Sequence, residues 1–172
     1  MKNLTTNKGF TIIELLVTLS VAGIILTVAV PSFQGLVQES RISAQSNNFL
    51  SAVMLAKSEA IKRNSPVTIC PSTNGTACTG GTVWSNGWVV FADASSDGVV
   101  DGGEEVIQVN AAFTGGNTLQ SAGARITFTA NGFSMGFNNT FSLCDSRGVI
   151  HSRALILNNQ GRLRSEKGTG TC

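Results

Sequence analysis

Residues 10–30 read FTIIELLVTLSVAGIILTVAV, a run of 21 residues whose single charge is Glu14. As a helix rising about 1.5 Å per residue, the run is long enough to cross a hydrocarbon core of about 30 Å. Whatever else the chain builds is therefore attached to a segment that seeks an apolar environment. A charged side chain inside such a span costs roughly 2.5–3.5 kcal/mol on insertion scales, so an acid kept there points to a function. A secretory signal peptide is the alternative, and it requires a small-residue cleavage site after the apolar run. Here the run continues into VPSF with no A-x-A pattern, which favours a retained anchor.

Helical periodicity resumes after Pro31. Ile42, Phe49, Val53, Ala56 and Ala60 recur at spacings of three, four or seven and are expected to face a core, with Gln38, Arg41, Gln45, Asn48 and Lys62 on the other face. Lys62 and Arg63 complement the dipole at the end of the helix, and the NSP at 64–66 stops it. The result is one helix of about 55 residues, roughly 80 Å, kinked near Pro31. Its second half needs a sheet to cover it. Strand-like runs follow at 67–70, 87–92, 105–109, 125–129, 140–144, 149–157 and 162–165, separated by Gly, Asn, Ser and Asp. NNQG at 158–161 reads as a hairpin turn, and residues 110–124 carry no recognisable signal. Trp84 and Trp88 are expected in the core rather than as a ligand platform. The fold class is α+β.

Charge is unevenly spread. Residues 10–65 carry Arg41, Lys57, Lys62 and Arg63 against Glu14, Glu39 and Glu59, whereas residues 66–124 hold no Lys or Arg at all. Residues 125–172 hold Arg125, Arg147, Arg153, Arg162, Arg164 and Lys167 against Asp145 and Glu166, so the C-terminal third is where an anionic partner would bind. Four cysteines allow three pairings. An anchor of the export type favours disulfides, and the local loops favour Cys70 with Cys78 and Cys144 with Cys172. Zinc is the competing use of these thiols, but there is no C-x-x-C pair.

The stretch KGFTIIELLVTLSVAGIILTVAVPSF resembles the N-terminus of type IV pilins and type II secretion pseudopilins. That resemblance implies a leader at residues 1–9, cleavage by a prepilin peptidase between Gly9 and Phe10, N-methylation of Phe10, and Glu14 as the acid at the fifth mature position. Cleavage leaves a positive amine on Phe10 at membrane depth, where an unpaired charge is costly. In a staggered filament Glu14 of one subunit can meet the Phe10 amine of a neighbour, so each offsets the other's burial. Downstream, PVTICPS, WSNGWVVFAD, FSLC and NNQGRLR resemble the GspH/FimT group of minor pilins and pseudopilins. The implied architecture is the type IV pilin fold. Its long N-terminal helix is transmembrane at 10–30 and amphipathic at 31–65, packed on an antiparallel β domain at 66–172.

The chemistry-bearing motifs are few. The one histidine, His151, lies in an alternating strand-like run, and no G-x-S-x-G or metal-binding histidine pair occurs, so no catalytic residue and no cofactor are expected. DASSDGVVDGGE spaces Asp93, Ser95, Asp97, Asp101 and Glu104 like a calcium loop. It reads better as an acidic hairpin loop whose carboxylates close turns, so no metal site is expected. In GRLRSEKG, Arg162 and Arg164 share a strand face and Gly161 lets a backbone or a phosphate approach closely. The G-R-x-R pattern resembles the motif with which FimT-like minor pilins bind DNA during natural transformation. It maps to Gly161, Arg162 and Arg164, with Arg147, Arg153 and Lys167 expected nearby and Glu166 opposing. The expected partners are other pilins, the prepilin peptidase, DNA without sequence preference, and the inner membrane before assembly into an extracellular pilus of a Gram-negative cell. A structural minor pilin of the FimU type and a GspH-type pseudopilin of type II secretion are the competing readings.

Overall fold

The computed structural model describes residues 9–172; the expected leader residues 1–8, including Lys2 and Lys8, lie outside the described residues. The chain divides into two compact units, one ending at Gln38 and the other Glu39–Cys172.

Helix α1 (Ile12–Arg63) begins in the first unit. Thr11 caps it: its hydroxyl accepts from the Glu14 amide at 3.3 Å, and its carbonyl from the Leu15 amide at 3.1 Å. Thr-Ile-Ile-Glu has the spacing of a capping box, and an acid in the first turn complements the helix dipole. Glu14 therefore has a local role in starting the helix besides any role between subunits. The hydroxyls of Thr18, Ser20 and Thr27 donate to carbonyls three or four residues back, so these three side chains are satisfied within the helix. Pro31 lies inside α1, and the helix continues past it. The apolar side chains of this unit, Phe10, Ile12, Ile24 and Val28 among them, are exposed.

The second unit packs the rest of α1 with eight short strands: β1 (Val67–Pro71), β2 (Trp88–Ala92), β3 (Val106–Asn110), β4 (Thr118–Ser121), β5 (Ile126–Phe128), β6 (Asn139–Cys144), β7 (Arg153–Leu157) and β8 (Leu163–Lys167). They form two four-stranded sheets, in the orders β3-β2-β1-β5 and β4-β6-β7-β8, and every pairing is antiparallel. Ile42, Phe49, Val53, Ala56 and Ala60 are buried in one core with residues of both sheets. Phe49 is its centre, meeting Trp84, Trp88 and Phe141 with ring centroids 5.5, 5.3 and 4.8 Å away. Both tryptophans are fully buried, and the Trp84 indole donates to the Ser121 hydroxyl and the Gly123 carbonyl. Disulfides join Cys70 to Cys78 and Cys144 to Cys172.

Three elements depart from the sequence reading. Gln45 is buried rather than outward, because its amide donates to the Thr114 carbonyl and accepts from Asn117, pinning the irregular loop before β4 to the helix. Strand β4 lies inside the stretch that carried no signal. Leu119 is its one buried residue, and its register is set by pairing with β6 rather than by its own pattern. The run 149–157 is not one strand. Gly148, at φ 87°, turns the chain into a 3-10 turn (Val149–His151), and the Ser152 hydroxyl donates back to the Val149 carbonyl before β7 starts at Arg153.

Candidate nucleic-acid interface

The β7–β8 hairpin turn is built by the side chains that the NNQG sequence supplies. Asn158 accepts from the Arg162 amide through its side chain at 2.9 Å and donates to the Arg162 carbonyl through its backbone at 3.1 Å. Gly161 closes the turn at φ 69°, in the left-handed region that favours glycine. It is buried, and a Cβ there would lie 2.5 Å from the Gly132 carbonyl and 2.8 Å from the Phe128 ring. Of the two approaches the sequence allows at Gly161, the structure shows the one to the protein's own chain.

Strand alternation then sorts the basic residues. Leu163 packs on the core and Lys167 reaches Glu39 on α1, so the odd positions of β8 face the helix. Arg164 and Glu166 face away, opposite Ile156 and Ala154 of β7. Arg162, just before the strand, joins Arg164, Ile156 and Asn158 around a shallow depression of about 320 Å³. Arg164 is exposed and pairs with Glu166 at 3.3 Å. Arg162 is exposed and has no ion pair among the described residues. The C-terminal tail crosses the same face farther along, with the Gly170 amide on the Ser152 hydroxyl, the Thr171 amide on Ser142 and Cys172 bonded to Cys144.

The other three expected basic residues do not join this pair. Arg147, Arg153 and Lys167 converge on Glu39, at 3.2, 3.1 and 3.0 Å, and Arg147 also holds Asp145 at 2.6 Å. The Lys167 hydrogen bond, with help from the two arginines, holds the Glu39 carboxyl below its ordinary range. Burial pushes Asp145 up, but the side-chain and backbone bonds from Arg147 outweigh it and keep that carboxyl low as well. Arg147 and Arg153 are spent within the fold, whereas Lys167 stays more than half exposed beside its partner. Glu39, the residue that gathers them, drew no attention in the sequence. Its only signal was its place as the lone acid between residues 15 and 58.

The two groups mark opposite ends of the second unit. Glu39 holds the end of β8 at Lys167, while Lys57, eighteen residues later, donates to the Gln160 and Gly161 carbonyls at the other end. Arg162 therefore lies at the pole remote from the point where the chain enters the unit.

The acidic loop is occupied by its own backbone. Asp93 is fully buried and accepts from the Thr68 hydroxyl, the Ser95 hydroxyl and the Gly98 amide. Asp97 accepts from the Val99 amide, and Glu104 from the Asp101 amide. Among the described residues no group of three or more such side chains is placed to hold a metal ion.

The GspH family model, described as type II transport protein GspH, matches residues 45–161, more than half of the chain. The chain belongs to the GspH family. The prokaryotic N-terminal methylation motif matches residues 4–30 of this GspH-family protein. Two crystal forms of the type IV minor pilin FimU from Pseudomonas aeruginosa share its fold. One has TM-score 0.62 at 18% identity, covering 77% of this chain and 92% of FimU; the other has TM-score 0.56 at 20% identity, covering 74% and 94%. No curated protein sequence matches it. The fold is that of type IV pilins, the chain is a membrane-anchored pilin of a structural family, and association with other pilins and processing by a prepilin peptidase follow from that membership.

Proposed function

We propose that this chain is a minor pilin: it is cut between Gly9 and Phe10, methylated on the new Phe10 amine, held in the inner membrane by residues 10–30 with its β domain in the periplasm, and then built into a pilus. The exposure of every side chain in residues 10–33 supports this reading, since such a surface is stable only in lipid or against other subunits. The mass of the intact membrane-extracted protein tests the processing, and a mature species that retains residues 1–9 would overturn it. Glu14→Gln is expected to spare membrane insertion and block incorporation into filaments.

We further propose that the subunit binds DNA through Arg162 and Arg164, as a capture site for uptake in natural transformation. The observation favouring this is the convergence of two exposed guanidiniums on one depression at the far pole of the unit. Guanidiniums engage phosphate oxygens through fixed, often bidentate hydrogen bonds and carry no direct sequence information when they do so. Glu166 competes for Arg164, so a phosphate must displace it. In a mobility-shift titration with a soluble fragment beginning near residue 37, Arg162→Gln with Arg164→Gln should abolish the shift, and Glu166→Gln should tighten binding several-fold. A double variant that binds like the parent would return the protein to a purely structural role in the pilus.

A further inference from the structure

Among large apolar side chains beyond residue 36, Ile150 is the most exposed, at 79%, and its neighbour Val149 is 47% exposed. Neither is on a loose loop. The 3-10 turn that carries them is closed by the His151 amide on the Gly148 carbonyl at 3.1 Å, and by the Ser152 amide and hydroxyl on the Val149 carbonyl at 2.9 and 2.6 Å. The Ser152 carbonyl in turn accepts from the Gly168 amide at 2.8 Å. Two aliphatic side chains are thus held outward by a fixed frame.

Their surroundings are cationic. Arg147, Arg153 and Lys167 flank the turn against Glu39 and Asp145, an excess of one positive charge, and Lys167 is 54% exposed. His151, half exposed with its Nδ1 4.0 Å from Glu39, adds a second charge when protonated. This corner is bonded to Glu39, where the chain enters the second unit. Glu39 follows Val30, the last residue of the apolar run, by nine residues in the sequence. An aliphatic tip ringed by cations, on a short tether to a membrane span, matches the chemistry of a bilayer surface. Aliphatic side chains enter the boundary between headgroups and acyl chains, and Lys and Arg meet anionic headgroups.

We propose that, while the protein is membrane-anchored, the turn Val149–His151 rests on the anionic bilayer surface, with Val149 and Ile150 in the interface and the exposed Lys167 toward the headgroup phosphates. This goes beyond the filament and DNA readings and depends on neither the arginine pair nor assembly. The amides of Val149 and Ile150 open the turn and so lack an intrahelical acceptor, which makes their exchange with solvent a sensitive reporter.

The test uses the full chain in nanodiscs of phosphatidylcholine alone, or of phosphatidylcholine with a third phosphatidylglycerol, followed by hydrogen–deuterium exchange of peptides spanning residues 147–152. Exchange should be several-fold slower in the anionic discs, and the protection should fade at high salt. Ile150→Ser should restore fast exchange while leaving the β7 peptides and the melting temperature unchanged. Equal exchange in the two lipids, protection that survives Ile150→Ser, or protection that appears only when other pilin subunits are added would each overturn the proposal, the last by making this corner a protein interface.

Discussion

Replacing Glu39 by alanine removes the acceptor shared by Arg147, Arg153 and Lys167. The three bonds are not equal. Lys167 is more than half exposed, so its share is that of a surface ion pair, about 0.5 kcal/mol. Arg147 keeps Asp145 at 2.6 Å and loses little. Arg153, at 21% exposure, loses its only ion-pair partner among the described residues, and an unpaired, mostly buried guanidinium costs about 1–2 kcal/mol. The expected loss is about 2 kcal/mol, or about 6–10 °C in melting temperature for a domain of this size. The pH dependence follows from the lowered Glu39 carboxyl: its contribution is fully present above the unfolded value near 4.5 and disappears as pH falls through the folded value. Urea titrations of the disulfide-intact fragment at pH 7 and at stepped acid pH measure both. Parent and Glu39→Ala should differ by about 2 kcal/mol at pH 7, and the gap should close below pH 4.5. A gap under about 0.5 kcal/mol at pH 7, or one that does not narrow in acid, would refute the assignment of Glu39 as the tie between helix and sheet.

Gly161→Ala should destabilise the fragment by about 3 kcal/mol, since it adds left-handed strain to a contact 2.5 Å from the Gly132 carbonyl; a melting curve that matches the parent would show that the turn is not built as described. Cys144→Ser with Cys172→Ser opens a loop with a sequence separation of 28, worth about 3.5 kcal/mol in the chain-entropy estimate. Hydrogen exchange should then rise first in residues 168–172, which among the described residues keep hydrogen bonds to Ser152 and Ser142 only.

What could be read from the sequence was whatever is periodic or local. The inward stripe from Ile42 to Ala60 repeats with the helix, and NNQG makes its turn with its own side chains, so both were visible without a partner. β4 was not, because a four-residue strand with one buried leucine is specified by β6 and not by itself. The basic residues were misjudged for the same reason. Arg147, Arg153 and Lys167 look like Arg162 and Arg164 along the chain, and what sets them apart is a contact with Glu39, more than a hundred residues away, joined for Arg147 by the local contact with Asp145. Gly161 was recognised as a place of close approach, but the approaching group, the Gly132 carbonyl, comes from a loop with no pattern of its own.

The division of the basic residues into spent and available charge can be measured as a salt slope. On duplex DNA, log affinity falls with log salt by about 0.9 per phosphate neutralised. With Arg162 and Arg164 as the phosphate contacts, their joint replacement by glutamine should make the slope shallower by about 1.8, while Arg153→Gln, whose charge is held by Glu39, should leave it unchanged. A slope that responds to Arg153 and not to the Arg162 and Arg164 pair would contradict the account.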